Sequence, residues 1–103
     1  MENIKKIFSE FNWEPATGYP TGTLQKTLRD EGRGKTILLK IPKGFKMPYH
    51  SHIYTEQHFV LDGMYTTDII EYPIGSYQIF FPHEDHGPFE SKNGALILVV
   101  WDK

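Results

Sequence analysis

Punctuation constrains this chain more than any other feature. Turn signals recur roughly every eight to twelve residues, a spacing that favours short strands over long helices. They are "TGYPTG" at 17–22, "DEGRG" at 30–34, "IPKG" at 41–44, "DG" at 62–63, "YPIG" at 72–75 and "SKNG" at 91–94. Between them lie runs rich in Thr, Val, Ile, Tyr and Phe: 23–28, 35–41, 49–52, 56–61, 65–68, 76–81 and 95–101. β-Branched and aromatic side chains pack well on a pleated surface, so the pattern predicts an all-β, antiparallel sandwich or barrel. Asp62-Gly63 between two such runs predicts a tight hairpin, because a type I′ turn needs positive φ at both central residues. The exception is the N-terminus, where Ile4, Ile7, Phe8 and Phe11 fall at helical spacing and predict one short helix over 2–11.

At 103 residues the chain has room for one domain, with an N-terminal segment over 1–12 and a β domain over 13–103. A 39% hydrophobic and 15% aromatic content supports a packed core. The formal charge of -2 gives no electrostatic case for nucleic acid or an anionic membrane. The longest apolar run, "ALILVVW", is too short to cross a bilayer as a helix. The N-terminus has no secretory h-region, and the expected location is the cytoplasm. With no cysteine, the chain has no disulfides, thiolate metal sites or thiol nucleophiles.

The stretch "GFKMPYHSHIYTEQHFVLDG", 44–63, sets His50, His52, Glu56 and His58 into a strand-like segment. Buried polar groups at this density need strong partners. Residues two apart on a strand share a face, so His50 pairs with His52 and Glu56 with His58. The three residues 53–55 suffice for a turn, and hairpin pairing would set the Glu56 carboxylate beside the two imidazoles. Two imidazoles and a carboxylate suit iron(II), manganese, nickel or zinc. His86, after a Pro-containing loop in "GSYQIFFPHEDHGPFE", is placed to reach the same centre from another strand. For Glu56 the alternatives are ligation and fixing an imidazole tautomer through a hydrogen bond. His58 is either a further ligand or proton shuttle, or a hydrogen-bonded histidine of the barrel interior. His83, among Glu84 and Asp85, reads as part of a solvated turn. Tyr49, Tyr54 and Phe80 are candidates for an apolar pocket wall, and Gln78 for a polar group within it.

The spacing Gly44-x5-His50-x-His52-x3-Glu56-x6-Gly63 resembles the first motif of the cupin superfamily at every fixed residue. Its second motif, G-x5-P-x-G-x2-H-x3-N, is kept in spacing from Gly75 through Phe81, His83 and His86 to Glu90, with only Gly75 and His86 retaining identity. His tolerates positive φ better than most residues, so the turn at His83 can replace the glycine. "GTLQKTL", "YPIGSY" and "HGPF" extend the likeness to the small ChrR-like cupins, a group similar to acetylacetone-cleaving dioxygenases. The resemblance implies a closed jelly-roll barrel and one divalent transition metal (iron, zinc, nickel or manganese) on His50, His52, Glu56 and His86. Some dioxygenase relatives ligate iron through histidines alone.

Two functions follow. The first is a mononuclear metalloenzyme of dioxygenase type, acting on a small chelating carbonyl or aromatic compound. The second is a sensor-like module that binds metal or a small ligand without turnover. A homodimer paired through sheet edges is expected for either.

Overall fold

The computed structural model describes residues 12–48, 53–85 and 87–102. The expected helix over 2–11 and strand over 49–52 lie outside these residues. Nine strands occur among the described residues: β1 (Glu14–Pro15), β2 (Leu24–Glu31), β3 (Gly34–Ile41), β4 (Phe45–Met47), β5 (Thr55–Thr67), β6 (Ile70–Pro73), β7 (Tyr77–Phe80), β8 (Phe89–Ser91) and β9 (Ala95–Asp102). All their pairings are antiparallel. No helix among the described residues is long and apolar enough to cross a membrane.

The strands form two curved sheets that share β5. In the first, β1, β2, β3 and β9 lead to the N-terminal half of β5, whose other edge pairs with β7. In the second, the C-terminal half of β5 lies between β6 and β8, and β4 follows β8. Ile37, Leu39, Ile41, Phe45, Val60, Tyr65, Phe80, Phe89, Ile97 and Val99 fill the space between. The outer face of the first sheet is partly covered too. Leu38 is fully buried there opposite Lys26, and Trp13 lies beneath the ammonium groups of Lys26 and Lys40, 5.0 and 5.6 Å from its ring centre.

The expected hairpin at Asp62-Gly63 is absent: the chain runs through it as one strand from Thr55 to Thr67. The register to β9 shifts between Val60 and Asp62, which makes a β-bulge with Leu61 as the extra residue. One additional residue reverses the alternation of faces. Glu56, His58 and Val60 point inward at even positions before the bulge, and Tyr65 points inward at an odd position after it. The bend also carries β5 from one sheet to the other.

Gly63 has φ of +70° and lies against backbone, so that an added Cβ would come within 2.3 Å of the Gly94 carbonyl oxygen. Asp62 Oδ1 accepts a 3.0 Å hydrogen bond from the Gly63 amide. A dipeptide suited to a hairpin tip thus serves the bend of a continuous strand. Gly63→Ala adds left-handed strain to a backbone clash, a cost of about 2–3 kcal/mol. Thermal unfolding should begin about 10 °C lower or more. Gly32→Ala, where a Cβ meets open space, should shift it little.

Candidate functional site

β5 crosses the interior and brings Glu56 and His58 to the same face, two residues apart. Both are buried, Glu56 to 2% exposure. A carboxylate this deep must be hydrogen-bonded, and the sheet register supplies its partners. Glu56 lies directly opposite Trp101 on β9, and its Oε1 accepts a hydrogen bond from the indole Nε1. Its Oε2 meets Nε2 of His58 at 2.5 Å. His58 lies opposite Gln78 on β7, and the phenol of Tyr65 joins these two. His58 Nδ1 is 3.1 Å from the Tyr65 hydroxyl, which donates to Gln78 Oε1 at 2.6 Å. A buried polar chain therefore runs Trp101–Glu56–His58–Tyr65–Gln78.

Counting protons sets the directions within this chain. An ionised carboxylate only accepts, so Nε2 of His58 carries a hydrogen. The Tyr65 phenol has one proton. When Gln78 Oε1 receives it, Nδ1 must also donate and His58 is imidazolium. When the Gln78 amide is turned to donate instead, Tyr65 gives its proton to Nδ1 and His58 is neutral. Both arrangements complete the chain.

Aromatic rings seal it. Phe80 packs edge-on to His58 with centroids 5.0 Å apart, Phe89 lies 5.8 Å away, and Tyr72 stacks on Tyr65 at 5.3 Å. Beside the chain is a small cavity of about 20 Å³, enough for a water-sized body. Tyr19 from the 17–22 turn and Met47 from β4 wall it, together with Glu56, His58, Tyr65 and Phe89. Burial pushes the Tyr19 phenol well above its ordinary value, and the Glu56 charge adds to this. Burial does the same for Tyr65, with smaller contributions from Tyr72 and Glu56. A larger concavity of about 530 Å³ lies elsewhere, lined by residues such as Lys46, Met64, Glu90 and Lys92, and contains none of the buried chain.

Of the residues expected at a metal centre, His50, His52 and His86 lie outside the described residues, as does Tyr49. Among the described residues no three His, Asp or Glu side chains gather as metal ligands would. Glu56 retains the chemistry for the task. Its two oxygens meet the Trp101 indole and the His58 imidazole, which fix its orientation. Gln78 ends the buried chain, and Phe80 covers His58. Tyr54 lines a separate surface groove with Arg33, Lys35 and Trp101. His83 is exposed in a turn, with φ of 64°.

Three residues of the site escaped the sequence reading. Tyr65 is out of phase with Glu56 and His58 until the bulge is known. Trp101 acts through pairing between chain-distant strands, although its place at the odd, inward phase of "ALILVVW" was a usable signal. Tyr19 comes from a loop and carries no periodic signal.

Removing the indole donor leaves a buried carboxylate oxygen short of a partner, so Trp101→Phe should cost about 1–3 kcal/mol. Combined with Glu56→Gln in a double-mutant cycle read by urea unfolding, it should show a coupling of about 1 kcal/mol or more. Additive losses would mean that the two groups do not interact. In an alkaline absorbance titration the Tyr19 and Tyr65 phenols should ionise only above the ordinary phenol range, because burial raises both. Their folded values lie above the unfolded one, so their contribution to stability is complete below about pH 10 and is lost as pH rises beyond it.

The family model described as ChrR Cupin-like domain matches residues 2–102. A search of curated proteins finds no match. Among solved structures, the chain is similar to one from the complex of Rhodobacter sphaeroides SigE with the anti-sigma ChrR, at 24% identity and a TM-score of 0.77. That match covers 94% of this chain and 52% of the other, so the chain spans about half the length of this relative. An acetylacetone dioxygenase from Acinetobacter johnsonii has a TM-score of 0.81 at 16% identity, over 99% of this chain and 74% of that one. An RmlC-like cupin from Shewanella frigidimarina has a TM-score of 0.78 at 20% identity, over 99% and 91%. Identities this low carry the fold alone, but the family model spans nearly the whole chain. The chain belongs to the ChrR cupin-like domain family.

Proposed function

We propose that this protein is a metal-binding cupin whose interior receives a small oxygen-bearing ligand, with chemistry of the dioxygenase kind as its activity. The supporting observation is Glu56: a carboxylate at the motif position, almost fully buried, anchored on two sides and bordering a cavity. Such an anion is costly in a β shell and is well suited to a nearby cation. His50, His52 and His86 would hold the metal with Glu56. When bound, a divalent cation would supply Lewis acidity towards a chelating carbonyl compound, and iron(II) would add access to dioxygen chemistry. Trp101 and His58 hold the carboxylate in orientation, and Phe80 and Phe89 exclude water from its surroundings.

A second reading, binding without turnover, draws on the likeness to the structure of SigE with the anti-sigma ChrR. The two differ in what happens to oxygen and ligand. An enzyme loaded with iron(II) consumes dioxygen in proportion to the dicarbonyl lost, whereas a sensor binds and leaves both unchanged.

Purified protein should carry about one divalent metal per chain by elemental analysis, with binding lost when His50 and His52 are both replaced by Ala. Affinity should fall below about pH 6, where protonated imidazole no longer coordinates. Protein that takes up no metal after loading, or an affinity flat from about pH 8 to 5, would remove this function.

A further inference from the structure

The outer face of the first sheet is unevenly covered. Near β2 and β3, where Trp13 lies, Leu38 is fully buried. Near β7 the face is open, with Tyr77, Ile79 and Phe81 exposed to 49%, 39% and 56%. Tyr77 and Ile79 alternate along β7 with Gln78 and Phe80, and Phe81 continues their line one residue past the strand. The register carries this strip across the sheet. Tyr77 lies opposite Phe59 and Phe59 opposite Leu98, while Ile79 lies opposite Gln57 and Gln57 opposite Val100. Large apolar side chains gathered in this way on a sheet face mark a place of contact.

The strip is built to be covered. The rings of Phe59 and Tyr77 pack together with centroids 4.9 Å apart. The Tyr77 hydroxyl donates to Gln57 Oε1 at 2.7 Å, and Gln57 Nε2 donates to Asp102 Oδ2 at 3.4 Å. Burial of the strip therefore leaves its phenol and its amide hydrogen-bonded, and the usual cost of desolvating polar groups is small. Asp102 at its border has Arg29 within 3.8 Å.

We propose that this strip is an interface with a second copy of the chain, the two outer faces packing sheet on sheet about a two-fold axis. Charge selects the occupant. A two-fold axis sets a patch against itself, so any charge within it meets its own sign. The side chains of the strip carry none, although 23% of the chain is charged. An acidic or basic partner would find nothing here to pair with. Shape agrees, because two copies of one face share one twist, and equally twisted sheets pack aligned at about 30°. Area sets the strength. Half-exposed Tyr and Phe offer about 100 Å² each. The whole strip offers about 500 Å² per copy, less than the roughly 800 Å² of a standard interface, so the dimer is reversible. The contact is face to face, unlike pairing through strand edges. It is independent of the function proposed above, yet it reaches the same strand: Gln57 and Phe59 alternate along β5 with Glu56 and His58. The partner thus packs on the back of the strand that carries the candidate site.

Sedimentation equilibrium tests the interface. The parent protein should be mostly dimeric at about 100 μM and mostly monomeric at about 1 μM. Its thermal midpoint should rise with protein concentration. Ile79→Asp places like charges at the contact and should raise the dissociation constant about a hundredfold, with the circular dichroism spectrum of the parent. If that variant does not fold, Phe81→Asp is read in its place, with the same expected loss. Ile69→Asp changes an exposed isoleucine of the turn between β5 and β6, away from the strip, and should dimerise as the parent does. A parent protein that is monomeric at about 100 μM overturns the inference. So does a folded aspartate variant of the strip that dimerises as tightly as the parent, or an Ile69→Asp protein that loses the dimer to the same extent.

Discussion

A single buried negative charge organises the interior. Glu56 would be prohibitively costly to bury without partners, and each partner is drawn from a different part of the fold. β9 contributes an indole, β5 itself an imidazole, and through that imidazole come a phenol beyond the bulge and an amide on β7. Removing any one member leaves the next with an unsatisfied group, so the chain behaves as one unit. The aromatic rings around it lower the local dielectric and strengthen every bond it contains. The same sealing makes any break in it expensive.

Much of the architecture was legible because turns have local chemistry. The signal at 30–34 turns β2 back onto β3, that at 41–44 links β3 to β4, and those at 72–75 and 91–94 interrupt strands that run on in one direction along β5, while the neighbouring runs became β2, β3, β7 and β9. Asp62-Gly63 misled because the same dipeptide suits a hairpin tip and a bulged bend, and only packing against Gly94 distinguishes them. Glu56 and His58 could be placed on one face from their two-residue spacing. The partnerships of Glu56 with Trp101 and of His58 with Gln78 could not, since the register between strands far apart in sequence has no local sign.

His83 illustrates how a motif can change its letters and keep its geometry. At the position where the cupin pattern has glycine, this residue adopts the left-handed conformation with φ of 64°. Imidazole is among the side chains that accept such a backbone. The fold is therefore tied to the conformation of the turn more closely than to its residue type. Family membership and chemistry remain separate matters, because jelly-roll shells with similar turns host unrelated reactions.

The sharing of β5 between the two sheets has a further consequence. Neither sheet can peel away without tearing a strand that the other also uses, so the shell should open all at once or not at all. Amide protons in β3, β9 and β8 would then exchange at a common, slow rate despite belonging to different layers. A guest held against Glu56 would tighten the far layer as much as the near one, through that one bent ribbon of backbone.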